Sequence, residues 1–208
     1  MSFVTLTISE PRHYAAAVTP AEVERLLAET GAIRRGHFQL SSGLHSPMYV
    51  QCAALLQHPD KATRLAEALA IYYRDARITV VVSPALGGIT WGYELARALG
   101  ARAIFVERNS DGRFALRRFD LTPGERVLVA EDVLTTGGST VETIEVVRRA
   151  GGEVVGVAAI VDRSGGTVDL EVPLRALLTQ QIETYPPPAC PLCKDYHPLE
   201  KPGSRPGR

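Results

Sequence analysis

Four short apolar runs limit what this chain can fold into: ITVVVS (78–83), AIFVER (103–108), RVLVAEDV (126–133) and EVVGVAAIVD (153–162). They are rich in Val, Ile and Ala and too apolar to face water on either side. Between and after them lie stretches of helical length, such as ITWGYELARALG and TVETIEVVRRAG. Apolar runs alternating with helices imply βαβ units and a parallel sheet covered on both faces. The expected fold class is α/β, a central, mostly parallel sheet flanked by helices. Such sheets take ligands at the carboxyl ends of their strands. Each run ends there in a polar or Gly-rich loop: SPALGG, ERNSDG, EDVLTTGGST and DRSGG. Four loops on one rim make a site.

The flanking segments are shorter units. Thr19-Pro20-Ala21-Glu22 opens a helix with a capping hydroxyl and a Pro in its first turn, and Gly31 stops it. HFQLSSGLHSPMYVQCA (37–53) alternates apolar and polar residues and reads as a hairpin or two short strands. Pro59 to Tyr73 is a second amphipathic helix, with Leu65, Leu69 and Tyr72 on one face. Residues 1–18 read as a loose leader, and 185–208, rich in Pro and charge, as an extended, partly mobile tail. The division expected is 1–60 for the N-terminal helix and hood segment, 61–170 for the α/β core, and 171–208 for the C-terminal tail. The 208 residues carry 23 acidic and 23 basic groups and a formal net charge of zero. That balance argues against a general nucleic-acid binder. No apolar run is long enough for a membrane span. Three Cys and no secretory pattern point to a reduced, cytoplasmic compartment.

VLVAEDVLTTGGST (127–140) carries the chemistry. A strand delivers the adjacent carboxylates Glu131 and Asp132 to the rim. A Thr/Gly/Ser turn then opens a helix. Backbone N–H groups of such a turn form a site for one phosphate. Thr135, Thr136, Ser139 and Thr140 add hydroxyls, and Gly137 and Gly138 permit close backbone approach. Carboxylates beside a phosphate cradle suit a ribose that presents hydroxyls there. They also suit a C1′ that becomes positively charged as its leaving group departs.

This segment resembles the phosphoribosyl-pyrophosphate motif of type I phosphoribosyltransferases. With GHFQLSSGLHSPMYVQCA (36–53), SPALGG (83–88) and VDRSGG (161–166), the likeness extends to the orotate phosphoribosyltransferase branch. It implies the type I fold with a small hood, Mg²⁺ with phosphoribosyl pyrophosphate, orotate as acceptor, and a homodimer with a shared site. It implies that Glu131 and Asp132 hold the ribose hydroxyls and that Thr135 to Thr140 bind the 5′-phosphate. Ala85, Leu86 and Gly87 contact pyrophosphate, often through a cis peptide. Arg108 reaches pyrophosphate of the neighbouring subunit. Arg163 binds the orotate carboxylate, and the segment with Tyr49 and Val50 covers the base beside Thr135. Thr135 also stands where hypoxanthine-type relatives often have an Asp, which leaves adenine- or xanthine-type enzymes as the alternatives. A regulator that senses phosphoribosyl pyrophosphate is a third reading.

Three cations of better-known orotate enzymes are absent. Ser41 and Gly87 stand where Lys is usual, and NSDGRFALRR (109–118) carries neither Lys nor His. Arg113, Arg117 and Arg118 are the substitutes available, with Arg113 the catalytic candidate. Arg cannot donate a proton near neutral pH. Solvated charges on an exposed hairpin are the other reading. Cys190-Pro-Leu-Cys193 with His197 has zinc-ligand spacing, against reduced thiols in a tail. Cys52 reads as a core thiol, and His37 and His45 as structural. Trp91 and Tyr93 read as core packing.

Overall fold

The computed structural model describes residues 17–40 and 42–202. Most of the expected leader, and Ser41, lie outside them. The first helix, α1 (Pro20–Glu29), starts as expected, with Thr19 Oγ1 accepting from the Glu22 N–H at 3.2 Å. Its apolar stripe, Val23, Leu26 and Leu27, is buried. Strands β1 (Ile33–Gln39) and β2 (His45–Val50) pair antiparallel. A short turn of helix, α2 (Ala53–Leu56), leads into α3 (Pro59–Ala70).

The chain then tightens into a 3-10 segment over Ile71–Ala76. Each residue now advances by about 120° instead of 100°, which shifts the buried face. Tyr72, expected on that face, is exposed, and Tyr73 is buried instead, its hydroxyl donating to Val157 O at 2.9 Å.

The core follows as β3 (Val80–Pro84), α4 (Gly88–Leu99), β4 (Arg102–Arg108), β5 (Phe114–Ala115), β6 (Arg126–Leu134), α5 (Gly138–Arg149), β7 (Glu153–Asp162) and β8 (Leu174–Thr179). The sheet order is β5-β4-β3-β6-β7-β8. All neighbours are parallel except the β4–β5 edge. The core therefore continues past residue 170, because β8 extends the parallel sheet.

Two apolar layers cover the sheet. One packs α1, α3 and α4 on Val81, Leu128, Ala130 and Ile160; Val80, Val127, Val129 and Val157 alternate into the other, with Ile144 of α5. Alternate residues along a strand face opposite sides, so runs buried on both faces must be apolar throughout. Trp91 is fully buried and donates from Nε1 to Ala158 O, but Tyr93 is exposed.

The tail, whose last six residues, 203–208, lie outside the described ones, carries regular structure that its composition did not announce. It forms a 3-10 turn, a helical turn α6 (Pro191–Lys194) and a strand β9 (Leu199–Glu200). This strand joins β1 in parallel, giving a second sheet of order β2-β1-β9. Among the described residues no helix is long and apolar enough to cross a membrane.

Candidate active site

The rim expected from the sequence is assembled at the carboxyl ends of β3, β4, β6 and β7. On β6, Glu131 is only 7% exposed, and its Oε2 accepts from the buried Thr140 hydroxyl at 3.1 Å. Burial pushes the Glu131 carboxyl up to about 8, the charge of Asp132 adding to the rise and Thr140 opposing it. Burial also raises Asp132. The apolar sheet thus holds two carboxylates that favour sharing a proton until a polar or cationic group approaches. The Thr140 hydroxyl donates to Glu131 and orients it, while the residue also lines the cavity of the following turn.

Residues 135–140 wrap, with Glu131, a cavity of about 100 Å³. Thr135, Thr136 and Ser139 are exposed on its wall. Gly137 has φ +79°, and a Cβ there would lie 2.7 Å from Val168. Only glycine fits that position, which leads directly into α5. The N–H groups at the start of α5 have no earlier carbonyl within the helix, so they are available to an anion.

At the end of β3 the Ala85–Leu86 peptide is cis, as the resemblance implied. Gly87 lies against Asp132: a Cβ on it would come within 3.3 Å of both carboxylate oxygens. Ala85, Leu86 and Arg108 share an open cavity of about 600 Å³ with Phe105 and Arg118. Arg108 pairs with Glu142 at 3.2 Å, donates to Gly112 O and stacks over Phe114. Arg117 and Arg118 are held by Glu107 at 3.1 and 2.8 Å, and that pairing lowers the Glu107 pKa. Arg113 is exposed and has no ion pair among the described residues.

A cavity of about 460 Å³ opens beside the turn at Thr135 and Thr136. Leu40, Leu44, Tyr49, Thr135, Thr136 and Arg163 contribute to its wall. The Arg163 Nε is buried without a hydrogen-bond partner, and burial lowers the pKa of the guanidinium. Val50 does not reach this cavity. It follows Tyr49 on β2, so it faces the other side and packs into the core.

Sequence reasoning missed three groups. Asp162 is buried and accepts from Ser164 N, Ser164 Oγ and Gly166 N at 2.7–3.0 Å, which sets the turn that carries Arg163. The Asp-x-Ser-Gly-Gly spacing was its signal. Glu142 accepts from the Phe114 N–H at 2.7 Å and anchors the β4–β5 hairpin to α5; nothing local marked it. His37 and His45 meet Cys190 and Cys193. The His197 ring is not in that group; the residue contributes its backbone carbonyl to His37 Nδ1. Cys52 is a buried thiol with a raised pKa, as a core residue should be.

Residues 51–184 match the phosphoribosyl transferase domain. The orotate phosphoribosyltransferase of Caldicellulosiruptor bescii is 54% identical over 182 residues, covering 87% of this chain and 95% of that protein. That of Pelotomaculum thermopropionicum is 51% identical over 189 residues, covering 90% and 99%. The crystal structure of orotate phosphoribosyltransferase from Aeropyrum pernix superposes with a TM-score of 0.63 at 31% identity, covering 76% of this chain and 93% of that one.

Proposed function

The chain belongs to the phosphoribosyl transferase family, among the orotate phosphoribosyltransferases, and from that premise we propose how its residues divide the work. The reaction moves the 5-phosphoribosyl group of phosphoribosyl pyrophosphate to orotate, giving orotidine 5′-phosphate and pyrophosphate. One observation carries the division of labour: Thr135 and Thr136 line both the phosphate-sized cavity and the larger one that holds Arg163. A ligand filling both cavities passes beside Glu131.

The turn 135–139 takes the 5′-phosphate through backbone N–H groups and the hydroxyls of Thr135, Thr136 and Ser139. Glu131 and Asp132 accept from the ribose hydroxyls. Positive charge at C1′ then favours their ionised form and is stabilised by it. Orotate lies against Tyr49, and its carboxylate satisfies the unpaired Arg163. Two parallel N–H···O bonds suit a guanidinium and a carboxylate. The turn at Ala85, Leu86 and Gly87, with Arg108, receives pyrophosphate.

The oxygen donors at the strand ends fit Mg²⁺, a hard cation that keeps oxygen ligands. Glu131 and Asp132, which act on the substrate's hydroxyls, are the residues that would hold it there. When bound, Mg²⁺ neutralises the departing pyrophosphate. No Lys lies between residues 62 and 193, so the protein's own contribution to the leaving group is Arg charge and backbone N–H, not proton donation. The hairpin carrying Arg113 excludes water from C1′. We infer that the enzyme acts as a cytoplasmic homodimer, as the family resemblance implies.

The test is an initial-rate assay with Mg²⁺, phosphoribosyl pyrophosphate and either orotate, adenine, hypoxanthine or xanthine. Orotate alone is consumed, with pyrophosphate released in equal amount. Turnover of a purine without orotate turnover overturns the assignment.

A further inference from the structure

We propose that His37, His45, Cys190 and Cys193 form a structural zinc site that ties the C-terminal tail to the hood sheet. His37 comes from β1, His45 from the start of β2, and the two thiols from the turn at α6. One ligand atom from each lies within 4.8 Å of all the others. His37 Nε2 is 2.9 Å from His45 Nδ1, 3.5 Å from Cys190 Sγ and 3.7 Å from Cys193 Sγ, and His45 Nδ1 is 3.3 Å from Cys193 Sγ. A tetrahedral zinc with Zn–S near 2.3 Å and Zn–N near 2.0–2.1 Å separates its ligand atoms by roughly 3.3–3.8 Å. The cluster is already close to that size.

Three further observations favour a metal over a casual cluster. His37 directs its other nitrogen, Nδ1, to His197 O at 2.9 Å. A carbonyl at that nitrogen fixes the tautomer in which Nε2 offers its lone pair, the usual arrangement behind a metal-bound His. His45 is held by a reciprocal backbone pair with Tyr185, both bonds 2.8 Å. His37, His45 and Cys190 are each less than 5% exposed, and their ring nitrogens and thiol converge on one point. Two thiols and two imidazoles are a zinc set, soft enough to disfavour Mg²⁺ or Ca²⁺. Four protein ligands leave no open position, so the site is structural rather than catalytic.

The consequence reaches the base cavity. β9 and Pro202 follow α6, and Pro202 lines the same cavity as Tyr49 and Arg163. A metal at this cluster holds the tail in place and thereby one wall of that cavity.

The full chain, purified under reducing conditions without chelator or added metal, is analysed by metal-emission spectrometry and by cobalt(II) substitution. One zinc per chain is expected. Cobalt should give the visible bands of a tetrahedral site with thiolate charge transfer. His197→Ala keeps the metal, whereas Cys193→Ser, a change at an exposed position, releases it while orotate turnover persists at raised KM. Should Cys193→Ser fail to fold, zinc release on thiol modification of the wild type is followed with a chromogenic chelator instead. A reduced protein with no zinc and no tetrahedral cobalt spectrum overturns the proposal. So does a Cys190–Cys193 disulfide in freshly reduced, metal-supplemented protein. Loss of orotate turnover with zinc retained would instead count against the assigned reaction.

Discussion

At the scale of single residues, the site stores its chemistry as unfavourable burial. Glu131 is held at about 8 by the apolar sheet around it, with Asp132 contributing. Below the ordinary value of 4.5 the carboxyl is protonated in both the folded and unfolded chain, and burial costs nothing through ionisation. As pH rises from there through about 8, the unfolded chain ionises first and stability falls; above that the cost is complete. Glu131→Gln removes the ionisation and keeps the acceptor for Thr140. Without substrate, its Tm should match wild type near pH ~4.5 and exceed it by several degrees at pH ~9. Its kcat/KM should fall by about 100-fold or more. Paired thermal melts at the two pH values decide; a variant that gains nothing at high pH removes burial as the cause.

Arg163 is the matching cation. Its unpartnered Nε is a buried donor awaiting an acceptor. Arg163→Ala should raise the KM for orotate by roughly 30-fold or more, the usual range for truncating one side of a buried charge pair. The KM for phosphoribosyl pyrophosphate should stay within about 3-fold. Equal changes in both would place Arg163 in the fold rather than at the acceptor.

At the scale of elements, the β4–β5 hairpin sorts its arginines by what already holds them. Arg117 and Arg118 share Glu107 on the surface, where solvent screening leaves such pairs contributing little. Arg113 has no such partner among the described residues and sits near the tip, where Asn109 Oδ1 accepts from the N–H groups of Asp111 and Arg113. Arg113→Ala should lower kcat by about 10-fold, whereas the double variant Arg117→Ala/Arg118→Ala should stay within about 3-fold. Stopped-flow or steady-state rates at saturating substrates separate the two; the reverse order would assign the leaving-group contact to the outer pair. The hairpin also shows why parts of the molecule were legible in sequence and parts were not. The turn 135–140 and the Ala85-Leu86-Gly87 turn announce themselves because glycine, hydroxyl and carboxylate lie within a few residues of each other. Glu142 could not be found that way, since its partners Phe114 and Arg108 are 28 and 34 residues distant. Likewise, helical periodicity chose Tyr72 over Tyr73 because the 3-10 turn after Ala70 changes the angle per residue, and no local residue type marks that change. The pairing of β1 with β9 joins His37 to Leu199, so the His/Cys cluster was visible only as an isolated CxxC.

At the scale of the whole molecule, the cavity proposed for the base is where three distant parts of the chain meet. Leu44 and Tyr49 come from the hood, Thr135 and Arg163 from the core, and Pro202 from the tail. The smaller cavity proposed for the 5′-phosphate, in contrast, is built from β6, the turn after it and the first turn of α5. The two substrates therefore depend differently on long-range order. On the proposed assignment, phosphoribosyl pyrophosphate rests on the core alone, through the β6–turn–α5 unit, the Ala85–Gly87 turn and Arg108, while orotate rests on how the hood and tail are held against the sheet. A chain ending at Pro198 separates them. It loses β9, the Arg34–Glu200 pair at 2.5 Å and Pro202, but keeps Cys190, Cys193 and the His197 carbonyl. The exposed ion pair contributes little, so the main loss is the edge strand and one cavity wall. The KM for orotate should rise by about 5-fold or more, with the KM for phosphoribosyl pyrophosphate within about 2-fold and the metal content unchanged. Initial rates with each substrate varied in turn at saturation of the other are the measurement. Equal weakening of both would mean that the tail supports the core as a whole; no change in either would mean that the wall at Pro202 is not used.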